Sequence, residues 1–225
     1  MYSFLKKILS DKSKHKIFQF FIKILSKKLN DVENRIPKYH LSEQHFKSLK
    51  ALENRSRLLE LLPKNGIIAE LGVNKGDFSK EILEKCTPER FHLIDIWNTK
   101  RYHSGLKLEI EQRFEKEFSN KQMVINYGLS TDVANDFSDN YFDWIYIDTD
   151  HSYTTTKAEL EMYASKMKAG GIIAGHDYTM GNWKGLIRYG VIEAVYEFCH
   201  KQNWEIIYIT MDLNEYPSFA IRKNQ

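Results

Sequence analysis

Apolar residues along this chain follow two alternating periods. Short apolar runs at 67–71, 91–96, 123–127, 144–148 and 171–174 have the length and character of buried strands. After each run, apolar positions recur at spacings of three and four, which predicts helices around 77–84, 106–118, 131–137, 155–167 and 187–202. Two last strands, 205–210 and 218–222, are separated only by 211–217. That connection is too short for a helical crossover, so the final strand is expected to run antiparallel to its neighbours. The expected fold is α/β and doubly wound, a mainly parallel seven-stranded sheet with the last strand antiparallel and helices on both faces.

Ahead of this core, 41–62 reads as a leading helix, with Ser42 as its cap and Leu41 and Phe46 as a hydrophobic staple, ended by Pro63–Gly66. Residues 1–40 read as a basic amphipathic helical extension and linker, with Pro37 in the linker. The domain then runs over 41–225, its α/β core over 63–225. In the extension, Ile17, Phe18, Phe21, Ile24 and Leu25 share a helical face that Lys16, Lys23 and Lys27 mostly avoid. Three uses fit this pattern: docking on the core or on a sister subunit of a homo-oligomer, lying on an anionic membrane surface, or serving as a mobile arm.

Charge sharpens that picture. The first 30 residues hold eight lysines and one aspartate, a net of +7, so the remainder carries about −4 of the overall +3. The modest total does not imply nucleic acid. Cys86 and Cys199 lie far apart without metal-ligand neighbours, as expected of a reduced cytoplasmic protein. Lysines interrupt every apolar run near the N-terminus, so neither a secretory signal nor a bilayer span is expected. The expected location is the cytoplasm, with the inner membrane face open to the extension.

In open α/β sheets ligands bind beyond the carboxyl ends of the strands. The first strand ends in Glu70-Leu71-Gly72-Val73-Asn74-Lys75-Gly76, an E-x-G-x-x-x-G loop. This is not the G-x-G-x-x-G of dinucleotide sites, and a carboxylate beside it suits a cationic amino-acid nucleoside. Asp95 ends the second strand, placed to accept ribose hydroxyls. Gly128 and Ser130 follow the third and border a place for adenine. Asp148 to Tyr153 follow the fourth, and Gly175 to Tyr178 the fifth. Trp97, Tyr102, His103, Tyr178 and Trp183 lie in loops on the same side, where they can stack on a sugar or adenine or simply pack. Each polar residue also has an ordinary reading as a cap or turn residue.

Taken together, A-E-L-G-V-x-x-G-x-F-S, L-I-D-x-W, Y-I-D-x-D-H-S-Y and G-G-x-I-A-G-H-D-Y resemble class I S-adenosylmethionine-dependent methyltransferases over roughly 62–223. More narrowly, the pattern resembles the sugar and small-molecule O-methyltransferases, including the macrolide-sugar enzymes. The resemblance implies a Rossmann-like methyltransferase fold with S-adenosylmethionine as cofactor. Glu70, Gly72 and Gly76 would hold its methionine part, Asp95 its ribose, and Trp97, Gly128 and Ser130 the remainder. It also implies a divalent ion, magnesium or manganese, on Asp148, His176 and Asp177, although histidine is unusual for magnesium. His151 stands where relatives keep a general base, with Asp148 beside it in the catalytic set. The expected reaction is methylation of a hydroxyl on a sugar, glycan intermediate or other small polar acceptor. Nucleic-acid methylation is the alternative enzyme reading, but the four prolines leave no N/D-P-P-Y/F tetrapeptide after the fourth strand. A non-catalytic scaffold that kept the fold is the third.

Overall fold

The structure, a computed structural model, describes residues 10–99 and 103–224. The basic residues Lys6 and Lys7 and the loop residue Tyr102 lie outside them. The chain divides into two units between Pro37 and Lys38. In the first, α1 spans Asp11–Glu33, capped by the Ser10 side chain, which accepts the Ser13 N–H. None of its residues is buried, and Phe18, Phe20 and Phe21 are each about three-fifths exposed.

The second unit opens with a 3-10 turn, Glu43–Phe46, a short strand β1, Lys50–Leu52, and a two-turn helix α2, Arg55–Leu61. The continuous helix expected over 41–62 is therefore broken. Asn54 supplies the reason: its side chain accepts the Arg57 N–H and caps a new helix there. Residues 50–52 instead add a parallel edge to a strand near the C-terminus. Tertiary pairing overrides the local helical pattern.

From here strands and helices alternate: β2 (Ile67–Leu71), α3 (Asp77–Cys86), β3 (Arg90–Asp95), α4 (Ser104–Arg113), α5 (Glu115–Ser119), β4 (Met123–Tyr127) and α6 (Ser130–Val133). They continue with β5 (Phe142–Ile147), α7 (Tyr153–Ala164), β6 (Met167–Gly175), the small hairpin β7 (Gly181–Asn182) and β8 (Ile187–Arg188), α8 (Val191–Gln202), β9 (Trp204–Thr210) and β10 (Phe219–Lys223). The helix expected over 106–118 is split into α4 and α5 at Phe114, which turns inward and is buried. The β7–β8 hairpin had no counterpart in the sequence reading.

The main sheet has eight strands in the order β1-β9-β10-β6-β5-β2-β3-β4, one more than expected because β1 joins its edge. Strands β2 to β6 pair in parallel, and β10 lies antiparallel between β6 and β9. Side chains alternate across the sheet. Ile68, Leu93, Trp144 and Tyr146 join α2, α3 and α4 on one face, while Ala69, Leu71, Ile145 and Ile147 join α6, α7 and α8 on the other. Both faces are apolar, which is why the strands read as continuous hydrophobic runs. The strand order reverses between β2 and β5, so their carboxyl ends form the switch-point crevice of an open α/β sheet.

Candidate functional site

At the end of β2 the chain turns at Gly72, with φ 88°. A Cβ there would stand 2.0 Å from the Asp148 backbone oxygen, so the turn can pass the end of β5 only as glycine. Gly76, with φ 73°, opens α3, and Asp77 adds a carboxylate to that helix's first turn.

The loop between these glycines is held from the neighbouring strand. Asp95 Oδ2 accepts the N–H groups of Val73 and Asn74 at 2.8 and 3.0 Å, and its Oδ1 accepts that of Trp97 at 2.9 Å. Two carboxylate oxygens have about four lone-pair positions, so a ribose hydroxyl remains within their capacity. Trp97 is 1% exposed and donates its Nε1–H to the Asn74 carbonyl at 3.0 Å. It braces the loop from inside and offers no open stacking face.

Glu70 also departs from its expected surroundings. It is 2% exposed and accepts a hydrogen bond from the Ser79 hydroxyl of α3. Burial, only partly offset by that hydrogen bond, pushes its pKa up to about 8. Near neutral pH it is largely uncharged, lies beneath the loop, and is a poor partner for a cofactor's ammonium. Gly128 gives its N–H to the Asp95 carbonyl at 3.2 Å. Ser130 donates to Glu159 Oε1, whose other oxygen accepts from Thr149 at 2.9 Å. Burial raises the Glu159 pKa to about 7.

Beyond β5 and β6 the structure gathers a compact charged cluster. Donor atoms of Asp148, His151 and Asp177 all lie within 4.8 Å of one another. His151 Nδ1 is 3.0 Å from Asp177 Oδ2, with Asp177 only 6% exposed at its side chain. Both hold left-handed backbone, φ 59° for His151 and φ 55° for Asp177. For residues other than glycine this costs on the order of 1–3 kcal/mol each, strain that gathers where geometry serves a site. His151 is further fixed by its carbonyl, which accepts the Gly190 N–H at 2.9 Å, and by the Tyr189 ring at 4.9 Å.

His176 stands beside this set, its Nδ1 3.3 Å from Asp177 and 3.9 Å from Asp148. Burial, the largest influence, pulls its pKa down, but the hydrogen bond to Asp177 and the nearby Asp148 charge outweigh it and the net shift is upward. Its Nε2 is buried with no hydrogen-bond partner among the described residues. Burial raises the Asp148 pKa, against the lowering influence of His176. Of the residues the sequence offered for a metal, Asp148 and Asp177 converge here with His151, and His176 stands beside them. Two carboxylates and an imidazole fit a divalent ion, with manganese, iron or zinc better suited than magnesium.

Sequence reasoning missed Arg55. It opens α2, with its guanidinium carbon 4.0 Å above the Phe78 ring. No motif marks it, since a single arginine at a helix start is unremarkable in sequence.

Residues 69–178, from β2 to the loop after β6, match a family model described as a methyltransferase domain. No curated protein sequence matches the chain significantly. Among solved structures, the B. subtilis M1A22 tRNA methyltransferase TrmK is 14% identical with a TM-score of 0.55, covering 77% of this chain and 67% of that one. SMU.1697c from Streptococcus mutans, solved in complex with SAH, is 14% identical with a TM-score of 0.54, covering 75% and 95%. The spermidine synthase from Thermotoga maritima is 15% identical with a TM-score of 0.51, covering 80% and 59%. Against several of the structures it resembles, this chain spans only 43% to 59% of their length. At these identities the likeness establishes the fold. The chain carries a Rossmann-like methyltransferase fold, and its methyltransferase-domain match spans the glycine loop, Asp95 and the His151–Asp177 cluster.

Proposed function

We propose that the protein transfers a methyl group from S-adenosylmethionine to a hydroxyl of a sugar, glycan intermediate or other small polar acceptor. The observation that carries this reading is the His151–Asp177 pair beside the Gly72 turn. Asp177 accepts from His151 Nδ1 and so leaves Nε2 as the ring's basic atom. That arrangement suits removal of a proton from a hydroxyl. Bound at the loop, S-adenosylmethionine would supply an electrophilic methyl, displaced in line from its sulfur by the attacking oxygen. The hydroxyl proton passes to His151 Nε2. Asp95 orients the loop and Gly72 keeps it close to Asp148, so the chain contributes mainly alignment. Tyr189 beside His151, and Tyr216 6.3 Å from Tyr189, give the acceptor side aromatic faces suited to a sugar ring.

A divalent ion on Asp148, Asp177 and a histidine would lower the acceptor's pKa. If that histidine is His151 through Nδ1, its remaining proton sits on Nε2 and it no longer serves as the base. The two roles of His151 are therefore alternatives, and metal dependence separates them.

The extension is proposed to place the enzyme on an anionic membrane surface, since α1 exposes Phe18, Phe20 and Phe21 among lysines. Among the described residues, no helix is long and apolar enough to cross a membrane. A second copy of the chain is the other occupant its apolar face admits.

The test is calorimetric titration of the full chain with S-adenosylhomocysteine and, separately, with NAD, each with and without manganese. Micromolar binding of S-adenosylhomocysteine alone is expected. Binding of NAD alone, or of neither, overturns the reading.

A further inference from the structure

Arg55 combines three observations that a purely structural arginine would not need. Its guanidinium lies over Phe78, in the first turn of the helix that the glycine loop feeds. Its Nε is buried with no hydrogen-bond partner among the described residues. Its ion pair is a single contact of 3.3 Å from Nη2 to Glu215, a residue on the β9–β10 connection whose side chain is 41% exposed. Arg55 itself is 18% exposed at its side chain and stands within electrostatic reach of Tyr146, Asp148 and Glu70. A guanidinium offers five N–H donors in a planar fork that matches a carboxylate bidentately. Here the long contact to half-exposed Glu215 and a hydrogen bond with the Tyr146 hydroxyl leave donors of the fork for a ligand.

We propose that Arg55 is the receptor for the carboxylate of an amino-acid-bearing nucleoside seated in the glycine loop, and that Glu215 is the internal carboxylate this ligand displaces. The inference rests on the methyltransferase reading, because S-adenosylmethionine carries such a carboxylate at the end of its methionine part. The Arg55–Glu215 pair is one long contact to a half-exposed carboxylate, so it yields readily to a bidentate partner held by the loop. The Phe78 ring fixes the plane of the guanidinium from below and leaves its edge to the ligand. Glu70, buried and largely neutral, does not compete for it. Release of Glu215 also frees the connection that carries Tyr216, the aromatic residue facing Tyr189 on the acceptor side. Cofactor occupancy is thereby coupled to the residues that would meet the acceptor.

The experiment compares the full-length protein with Arg55→Gln and Glu215→Gln in titrations with S-adenosylhomocysteine and with 5′-methylthioadenosine, which keeps the nucleoside and sulfur but lacks the amino acid. Arg55→Gln is expected to weaken S-adenosylhomocysteine by about tenfold or more while leaving 5′-methylthioadenosine unchanged, the second ligand also reporting an intact fold. Glu215→Gln is expected to tighten S-adenosylhomocysteine alone, by about two- to fivefold. Equal weakening of both ligands by Arg55→Gln, or no weakening, overturns the proposal. If Arg55→Gln does not fold, Glu215→Gln decides, and affinity that is unchanged or lower removes the displacement. A full-length protein that binds neither ligand defeats the methyltransferase reading itself. Binding by the full-length protein with indifference to Arg55 defeats only this inference.

Discussion

His151 Nδ1 lies 3.0 Å from Asp177 Oδ2, and both residues hold left-handed backbone to meet there. The contact joins the loop after β5 to the loop after β6, so it exists only in the folded sheet. In the proposed reaction Asp177 would select the tautomer with a basic Nε2 and orient the ring, an arrangement suited to a general base. His151→Ala is expected to lower turnover by about 10²- to 10⁴-fold while S-adenosylhomocysteine affinity stays within about twofold. Asp177→Asn should lower turnover as well, because an amide can stabilise the wrong tautomer. Rates and titrations on the same preparations check this, and full turnover by His151→Ala removes the residue from the mechanism.

Gly72 offers a sharper steric test. With φ 88° and the Asp148 carbonyl 2.0 Å from where a Cβ would stand, alanine is excluded on two independent grounds. Gly72→Ala should cost at least about 1–3 kcal/mol of stability from backbone strain alone. The turn must also move away from β5, so S-adenosylhomocysteine binding should be lost. Denaturant unfolding and calorimetry measure the two effects. Retained binding would mean that the loop is not the ligand cradle.

Asp95 ties the loop to β3 through the N–H groups of Val73 and Asn74 and also accepts that of Trp97 beyond its own strand. Asp95→Ala removes both acceptor oxygens, and with them the three N–H contacts and the proposed ribose contact. S-adenosylhomocysteine affinity is expected to fall by about 100-fold or more, since hydrogen bonds to a charged group contribute about 1.5–3 kcal/mol each. Asp95→Asn retains one acceptor oxygen and should lie between the two. Unchanged affinity in Asp95→Ala would count against the assignment of the crevice.

Much of this site was legible in the sequence because strand-end polar residues stand out against apolar runs. The alternation placed β2 to β6 and the antiparallel β10, and with them Gly72, Asp95, Asp148, His151 and Asp177 at one edge. What was not legible depends on contacts distant in sequence. The strand Lys50–Leu52 exists because Ala51 pairs with Ile209, and nothing local announces that partner. Trp97 read as a loop aromatic that could stack on a ligand or simply pack, and a bond to Asn74 holds it inside. Glu70 looked like a fixed charge, but burial favours its neutral form despite the hydrogen bond it accepts from Ser79. Arg55 became visible only when folding set it over Phe78 and opposite Glu215, a residue 160 positions away.

The buried Glu70 also gives a prediction in pH. Burial raises its folded pKa to about 8, from 4.5 for the free carboxyl. Between those values the folded state holds a proton that the unfolded state has released. Stability from this group is therefore complete below about pH 4.5 and is lost as pH rises towards 8, at up to about 1.4 kcal/mol per pH unit. Glu159, with its pKa raised to about 7, acts in the same direction, so the wild-type slope is a sum. Glu70→Gln isolates one contribution, since the amide oxygen can still accept from the Ser79 hydroxyl without titrating. Urea midpoints at pH 5 and pH 8 should show the wild type losing more stability on alkalinisation than the variant. Identical losses would mean that Glu70 is ionised in the folded protein, which would return it to the list of charges able to meet a cofactor's ammonium.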